Sequence, residues 1–456
     1  MKKIETKTLL AVIAIGCMSF AGVIVETSMN ISFPKLMNEF DVTLAQVQWI
    51  TTIYLLTVAL VVPLSTWLQK NYMSKTLFLI ANLAFILGIT LDALAPNFAV
   101  LLSGRVIQGI GTGIAIPLMF NTILEWVDLE HLGLMMGVGT LITAVAPAIG
   151  PTYGGIMVNL LGWRYIFVFL FPLLLFSLFT GLKNIRQKHL PVKTKLDWIG
   201  YISLVIAFIG MILGIGNLET AGLLNLTSGG ALFIGLVALG FFVYHNQKSP
   251  IKLVELKIFK ITSFSLHTLS FFLLQLISLG MAFILPNYIQ LVLNQSATTA
   301  GLIVLPGAAL GAIFAPISGR ILDNFGARRP ILIGVGATTV ALVLFALKSL
   351  YLYSGLIIGL YLLMMFGIGL AYGNIMTSGL NFLTSQFKSD GNTVFNTIQQ
   401  FAGAVGTSIV SIIIAASQNQ SQLAFSTAQG SSHALWLLAC ISLVVWGILF
   451  KVVPKK

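Results

Sequence analysis

Charge is what this chain has least of. Only 8% of its 456 residues are Asp, Glu, Lys or Arg, while 57% are hydrophobic, and soluble globular domains carry about a quarter charged residues. With a mean hydropathy of +0.98 the chain needs lipid as its solvent. Cysteine is almost absent. Cys17 and Cys440 both lie in apolar runs, which excludes a disulfide framework and a thiolate metal site. The five histidines, at 131, 189, 245, 267 and 433, are too dispersed for a metal centre. No G-x-x-x-x-G-K phosphate loop occurs, so ATP drive is unsupported and the chain does not read as an enzyme.

Long apolar runs are abundant. In a bilayer every backbone amide must be satisfied within the spanning structure, which leaves helices or closed barrels. The unbroken runs lack the alternation of a barrel strand, so the fold class is all-α and integral to the membrane. At about 20 apolar residues per span, fourteen spans are expected, starting near residues 9, 45, 76, 99, 133, 163, 198, 228, 262, 299, 330, 354, 392 and 432. The start, Met1-Lys2-Lys3 followed by an apolar run, mimics a secretory signal but has no small-residue cleavage site, and is expected to be the first span.

An even number of spans puts both ends on one side. Of the 25 basic residues, 21 fall on that side, against Lys35, Arg164 and Lys348 on the other. The positive-inside rule makes both termini cytoplasmic. It also accounts for the net charge of +12 without nucleic acid, since the lysines and arginines form no stripe interleaved with aromatics. Arg105 alone lies within a span.

The chain repeats itself. The run from Pro63 to Lys75 aligns without a gap with that from Pro316 to Arg328, 253 residues on, and Phe33-Pro34 and Leu285-Pro286 precede them at nearly equal offsets. The second span therefore matches the tenth. Two spans, within residues 198 to 244, are inserted between the halves: a six-helix bundle over 1–190, a hairpin over 191–255 and a six-helix bundle over 256–456. Parallel repeats place a cavity between the halves near the midplane.

These residues resemble the major facilitator superfamily, and within it the fourteen-span drug:proton antiporters that include lincomycin and multidrug exporters. Gly319, Asp323, Gly326, Arg328 and Arg329 are similar to its cytoplasmic-loop signature. Arg105, Gln108, Gly109, Gly111 and Gly113 resemble the fourth-span signature, and Pro147, Gly150, Pro151, Gly154 and Gly155 the fifth-span signature of exporters. Glu26, Thr27, Asn30 and Pro34 resemble the first span, Trp49 and Tyr54 the second. The loop signature is degraded in the first half, with Thr66, Lys70 and Met73 in place of Gly, Asp and Gly. The first-span acid, often five residues before Asn30, is Glu26 here, with Val25 at the usual position; one residue turns a side chain by roughly 100°.

Nearly all 13 acids fall at predicted turns, and Glu26 is placed deepest. A carboxylate at bilayer depth costs on the order of 3 kcal/mol, and desolvation favours its protonated form. A Glu26 ionised beside Arg105 or water and protonated when desolvated would couple proton movement to the change of state; the alternative is a snorkelling residue at the interface. Arg105 is read either as its counter-charge or as a bridge to backbone carbonyls. The glycines and prolines of the fifth span permit close helix contact, and the resemblance implies that this helix seals the half-to-half interface. Asp323 with Arg328 and Arg329 forms either a cytoplasmic gate or a solvated turn. Asn30, Gln48, Trp49, Tyr54, Gln108, Asn121, Gln275, Asn287, Tyr288, Gln290, Asn374, Asn396, Gln399 and Gln400 are candidate cavity residues, or else hydrogen bonders between helices.

The expected function is proton-driven, alternating-access export of lipophilic, often cationic small molecules across a cell membrane, with the bacterial plasma membrane implied. The proton gradient is the energy source, with no cofactor or metal; lipid, drugs and protons are the partners and a monomer is the expected state. A nutrient importer and a lipid-translocating protein are the alternatives.

Overall fold

The computed structural model describes residues 5–127, 129–186, 191–218, 222 and 224–454. Helices begin where side chains satisfy the first free amides. Thr43 and Gln46 form a reciprocal capping box, and Asn97, Asp197 and Ser296 each accept from an amide three residues on, as N-caps do. Among the described residues fourteen long helices follow. They are α1 (Thr6–Phe40), α2 (Leu44–Asn71), α3 (Ser74–Ala93), α4 (Phe98–Trp126), α5 (Leu129–Leu160), α6 (Tyr165–Asn184), α7 (Trp198–Gly216), α8 (Leu226–Lys248), α9 (Thr262–Leu291), α10 (Ala297–Phe325), α11 (Arg328–Leu347), α12 (Ser354–Leu380), α13 (Lys388–Ala415) and α14 (Leu423–Val452). Among the described residues thirteen are long and apolar enough to cross a membrane; α5, many of whose side chains lie outside the description, is the other long helix. The starts follow the hydropathy of the sequence except in α14, which begins at Leu423 rather than near 432.

Both ends lie on one face, here the terminal face. There Arg186 pairs with Glu5 at 3.0 Å and Arg328 donates to the Val453 carbonyl at 2.6 Å. Lys2, Lys3, Lys188, Lys455 and Lys456, part of the orientation pattern, lie outside the described residues. Between α8 and α9 Lys252 pairs with Glu255 at 2.8 Å, and its hydrogen bonds hold the Glu255 carboxyl below the usual carboxylate range.

Within the first half α1 packs on α4, α5 and α6, and α3 on α4; within the second, α9 packs on α12, α13 and α14, and α11 on α12 and α14. Helices come this close where glycine removes side-chain bulk. Gly334 and Gly367 each lie against the other's carbonyl. The hairpin α7–α8 crosses at Gly210 and Gly235 in the same manner. Its α7 touches both halves: Phe208 stacks on Phe401 of α13 with centroids 4.2 Å apart, and Gly216 sits under Trp49 of α2. The opposite face of α8 carries exposed Phe233, Ile234 and Val237, as suits a lipid-facing helix.

Candidate functional site

The buried polar residues of the first half converge near the face opposite the termini. Arg105 of α4 has no solvent exposure. Its Nε donates to the Ile50 carbonyl at 3.0 Å, its Nη1 donates to Gln108 Oε1 at 2.7 Å, and its guanidinium lies 4.2 Å from the centroid of the Tyr54 ring. This is a cation–π contact in a desolvated site, where such contacts are strongest. Tyr54 is itself fixed, its hydroxyl 2.9 Å from the Gly22 carbonyl and 2.8 Å from Thr112 Oγ1. Gln108 passes the chain on, its Nε2 donating to Asp92 Oδ2 at 2.5 Å.

Asp92 is the residue that sequence reasoning missed. It stands in the last turn of α3, just before Pro96-Asn97, and reads there as a loop acid. In the structure it is fully buried, whereas Glu26 retains 9% exposure; Glu26 is therefore not the most enclosed carboxyl. The signal was available only as proximity to the buried Arg105 about two turns into the next span. Gly104 makes room for it, because a Cβ there would collide with Asp92 Oδ1 and lie 2.9 Å from the Gly88 carbonyl. Gly104→Ala is expected to push Asp92 off Gln108 and to destabilise the protein by about 1–3 kcal/mol. The measurement is a lowered unfolding temperature of the purified protein in detergent.

Glu26 is on α1, one turn beyond Gly22, and makes no hydrogen bond to any described residue. Arg105 acts on it only through space: its Nε and Nη1 are bonded to Ile50 and Gln108 and its Nη2 has no partner, so the direct Glu26–Arg105 pair that the sequence suggests is not formed. Asn30, one turn after Glu26 on α1, reaches toward the Ala282 carbonyl of α9, so this side of α1 meets the other half, where Tyr372 of α12 has a buried hydroxyl with no partner.

The candidate cavity residues divide. Gln48, Tyr54, Gln108, Asn287 and Tyr288 are at most 2% exposed and sit in packed helix contacts in this conformation. Tyr288 donates to the Ser349 carbonyl at 2.8 Å and Asn287 to that of Phe283 at 2.8 Å. Asn374 is also buried, donating to the Ser318 and Leu370 carbonyls. Asn121 bonds Gln69 at 2.5 Å, and Asn396 bonds back to Asn392. Trp49, Gln275, Gln399 and Gln400 are half-buried.

Several of these residues instead join the two halves. Gln48 Nε2 donates to Thr407 and Ser408 at 3.3 and 3.2 Å, and Ser411 donates back to Gln48 Oε1 at 3.3 Å. Asn30 accepts from Thr51 at 2.9 Å and reaches toward the Ala282 carbonyl of α9, while Gln290 donates to the Ile31 carbonyl at 3.0 Å. In α5 Gly154 lies on the Ser28 backbone and Gly150 against Thr27, with Ser28 donating to the Gly150 carbonyl at 2.8 Å. Gly155 meets Ala297 and Thr298 of α10, and Gly301 of α10 meets Pro151 and Thr152. Thr298 donates to the Gly155 carbonyl at 2.9 Å and Thr152 to that of Gly301 at 3.1 Å. Among the described residues, every hydrogen bond between the six-helix halves lies toward the face opposite the termini.

On the terminal face Gly326 ends α10 at φ 75°, a conformation that favours glycine. Arg328 is engaged by Val453 and lies 5.0 Å over Phe450, Arg329 lies 6.0 Å over Phe325, and Gly319 faces open space. The Asp323 side chain lies outside the described residues. Among these, no group of three or more His, Cys, Asp or Glu comes together.

Two helical halves meeting along a seam, with buried charge beside it, define a polytopic membrane transporter. The chain belongs to the Major Facilitator Superfamily, which residues 15–407 match, and is a multi-pass protein of the cell membrane. It is 34% identical over 411 residues to the lincomycin resistance protein LmrB of Listeria monocytogenes, covering 90% of this chain and 87% of that one. Identity to the putative multidrug resistance protein MdtD of Citrobacter koseri is 25% over 441 residues, covering 94% and 91%. Among solved structures, a bacterial homologue of the human lysosomal transporter Spinster, in an inward-facing form, superposes with a TM-score of 0.73. Identity there is 13%, over 98% of this chain and 97% of that one.

Proposed function

We propose that this transporter is a drug:proton antiporter that exports lipophilic, often cationic small molecules by alternating access, with both termini cytoplasmic and Glu26 as a coupling acid. The observation that carries the reading is the setting of Glu26. It is a nearly enclosed carboxyl at the interface of the halves, without a hydrogen bond and within the field of Arg105, whose Nε and Nη1 are bonded to Ile50 and Gln108. Such a group changes charge at little structural cost, because no bond has to break when its proton leaves. The names of the relatives, lincomycin and multidrug resistance proteins, support drug-like cargo. With the termini inside, the hydrogen-bonded seam lies on the outer side, and this conformation is outward-closed.

Protonation of Glu26 from outside and release inside then alternates with drug moving the other way. One proton crossing 100 mV contributes about 2.3 kcal/mol and each pH unit about 1.4 kcal/mol. Together they support a gradient of roughly a few hundredfold for an uncharged substrate. In everted vesicles with an acidified interior, adding ethidium or tetraphenylphosphonium is expected to release protons with the wild type and not with Glu26→Gln. Normal coupling in that variant removes Glu26 from the mechanism, and lipid movement without proton flux removes the exporter reading.

A further inference from the structure

We propose that Asp92 is a second proton-exchanging carboxyl, sharing the positive charge of Arg105 with Glu26, so that a full cycle moves two protons. The inference rests on the exporter reading above and deepens it.

The hydrogen-bond directions are forced. A guanidinium only donates, so the Gln108 oxygen must face Arg105 and its amide nitrogen must face Asp92. Asp92 Oδ2 therefore accepts that one bond. Asp92 Oδ1 is buried with no partner, and so is Arg105 Nη2. A carboxylate serving only to neutralise Arg105 would fill that vacant donor directly, since a buried unmatched charge is costly. Here the Gln108 amide stands between the two, and the unpartnered Oδ1 is where a proton is carried. Gly104 closes against it, and Gly88 closes against Gln108.

The surrounding charges are few. From α4 only Arg105 faces Asp92, and from α1 Glu26 lies across Arg105. At the adjoining helix ends Arg164 donates to the Ala95 carbonyl and is paired with Glu39 at 2.6 Å. Lys75 of α3 and Lys183 of α6 sit at the terminal-face ends of their helices. The cluster is thus one guanidinium and two carboxyls. With both carboxyls protonated its charge is +1, and with both ionised it is −1. Without Arg105 the same two protons would swing it between 0 and −2. Because the cost of burying charge rises with its square, the fixed cation makes two-proton exchange far less costly at this depth.

The test uses the full-length protein in lipid, with infrared difference spectra recorded between acidic and alkaline buffer and no drug present. Two carboxylic-acid C=O bands are expected to disappear on raising pH, one missing in Glu26→Gln and the other in Asp92→Asn. An Asp92 band that is absent, or unchanged, at every pH overturns the proposal. If Asp92→Asn fails to fold, the wild type and Glu26→Gln still decide it, because one titrating band in the former and none in the latter also overturns it. Vesicles give a second readout with tetraphenylphosphonium. Two protons against one monovalent cation is electrogenic, so a membrane potential alone drives wild-type export, and Asp92→Asn keeps only the pH-driven component. Equal response of both proteins to potential counts against the proposal. Titration of the Asp92 band with none from Glu26 refutes instead the role given to Glu26.

Discussion

Gly155→Leu is expected to abolish transport while leaving the protein folded and in the membrane. At Gly155 a Cβ alone would lie 2.9 Å from the Ala297 carbonyl carbon and 3.0 Å from Thr298 Cα. These are backbone atoms that cannot rotate away, so α5 and α10 must separate. Gly301 is the reciprocal contact, with a Cβ there 2.8 Å from Thr152 Cα. The bonds from Thr298 and Thr152 across the seam are lost with the approach. If overpacking costs the closed seam about 3 kcal/mol, its population falls more than a hundredfold relative to the alternative state. The measurement is reactivity of a cysteine at Thr51, buried beside Asn30 in this conformation, in a background with Cys17 and Cys440 replaced by serine. It should be protected in the parent and labelled by an impermeant maleimide in Gly155→Leu. Gly240, with nothing near its Cβ position, supplies the control, and Gly240→Leu should transport normally. Protection of Thr51Cys in both proteins would show that the seam does not depend on this contact.

The second large effect is expected at Arg105. Arg105→Ala removes a fully enclosed cation that holds the Ile50 carbonyl, Gln108 and the Tyr54 ring together, and it strands Asp92 without its counter-charge and Gln108 Oε1 without its donor. Loss of one partner in a buried charge network costs about 3–5 kcal/mol, enough to lower the unfolding temperature sharply and to reduce the amount in the membrane. Arg105→Lys keeps the charge but not the fork that serves Ile50 and Gln108 at once. Its stability should be intermediate, measured by thermal unfolding in detergent. A stable Arg105→Ala protein would mean that the cluster is neutral without its cation.

Both effects were partly visible in the sequence. Arg105 is the one basic residue inside a span, and the cost of charge in hydrocarbon identified it. Gly155 stood out among the glycines and prolines of α5, which suit close helix packing. Glu26 was found by the same reasoning as Arg105. Asp92 was not, because a carboxyl three residues before Ala95-Pro96-Asn97 has the composition of a turn. For Gln48 the sequence leaves open a cavity residue or a bond between helices, and in this conformation its amide is spent on Thr407, Ser408 and Ser411. Those hydroxyls drew no notice, because Ser and Thr in an apolar helix can satisfy themselves on their own backbone.

By itself the sequence determined the solvent, the all-helical class and the order of the apolar helices, and it suggested the repeat with its inserted hairpin. Each follows from local quantities: the apolar length needed to cross a bilayer, and self-similarity along the chain. The tertiary structure decided which polar side chains spend their hydrogen bonds on one another and which are left without partners. It buried Asp92, turned Gln108 into the link between Asp92 and Arg105, left Glu26 unbonded, and closed the seam at Gly155 and Gly301. The physical reason is that a hydrogen bond or a backbone contact is fixed within a few tenths of an ångström by helices distant in sequence. Hydropathy reports only that a residue is inside.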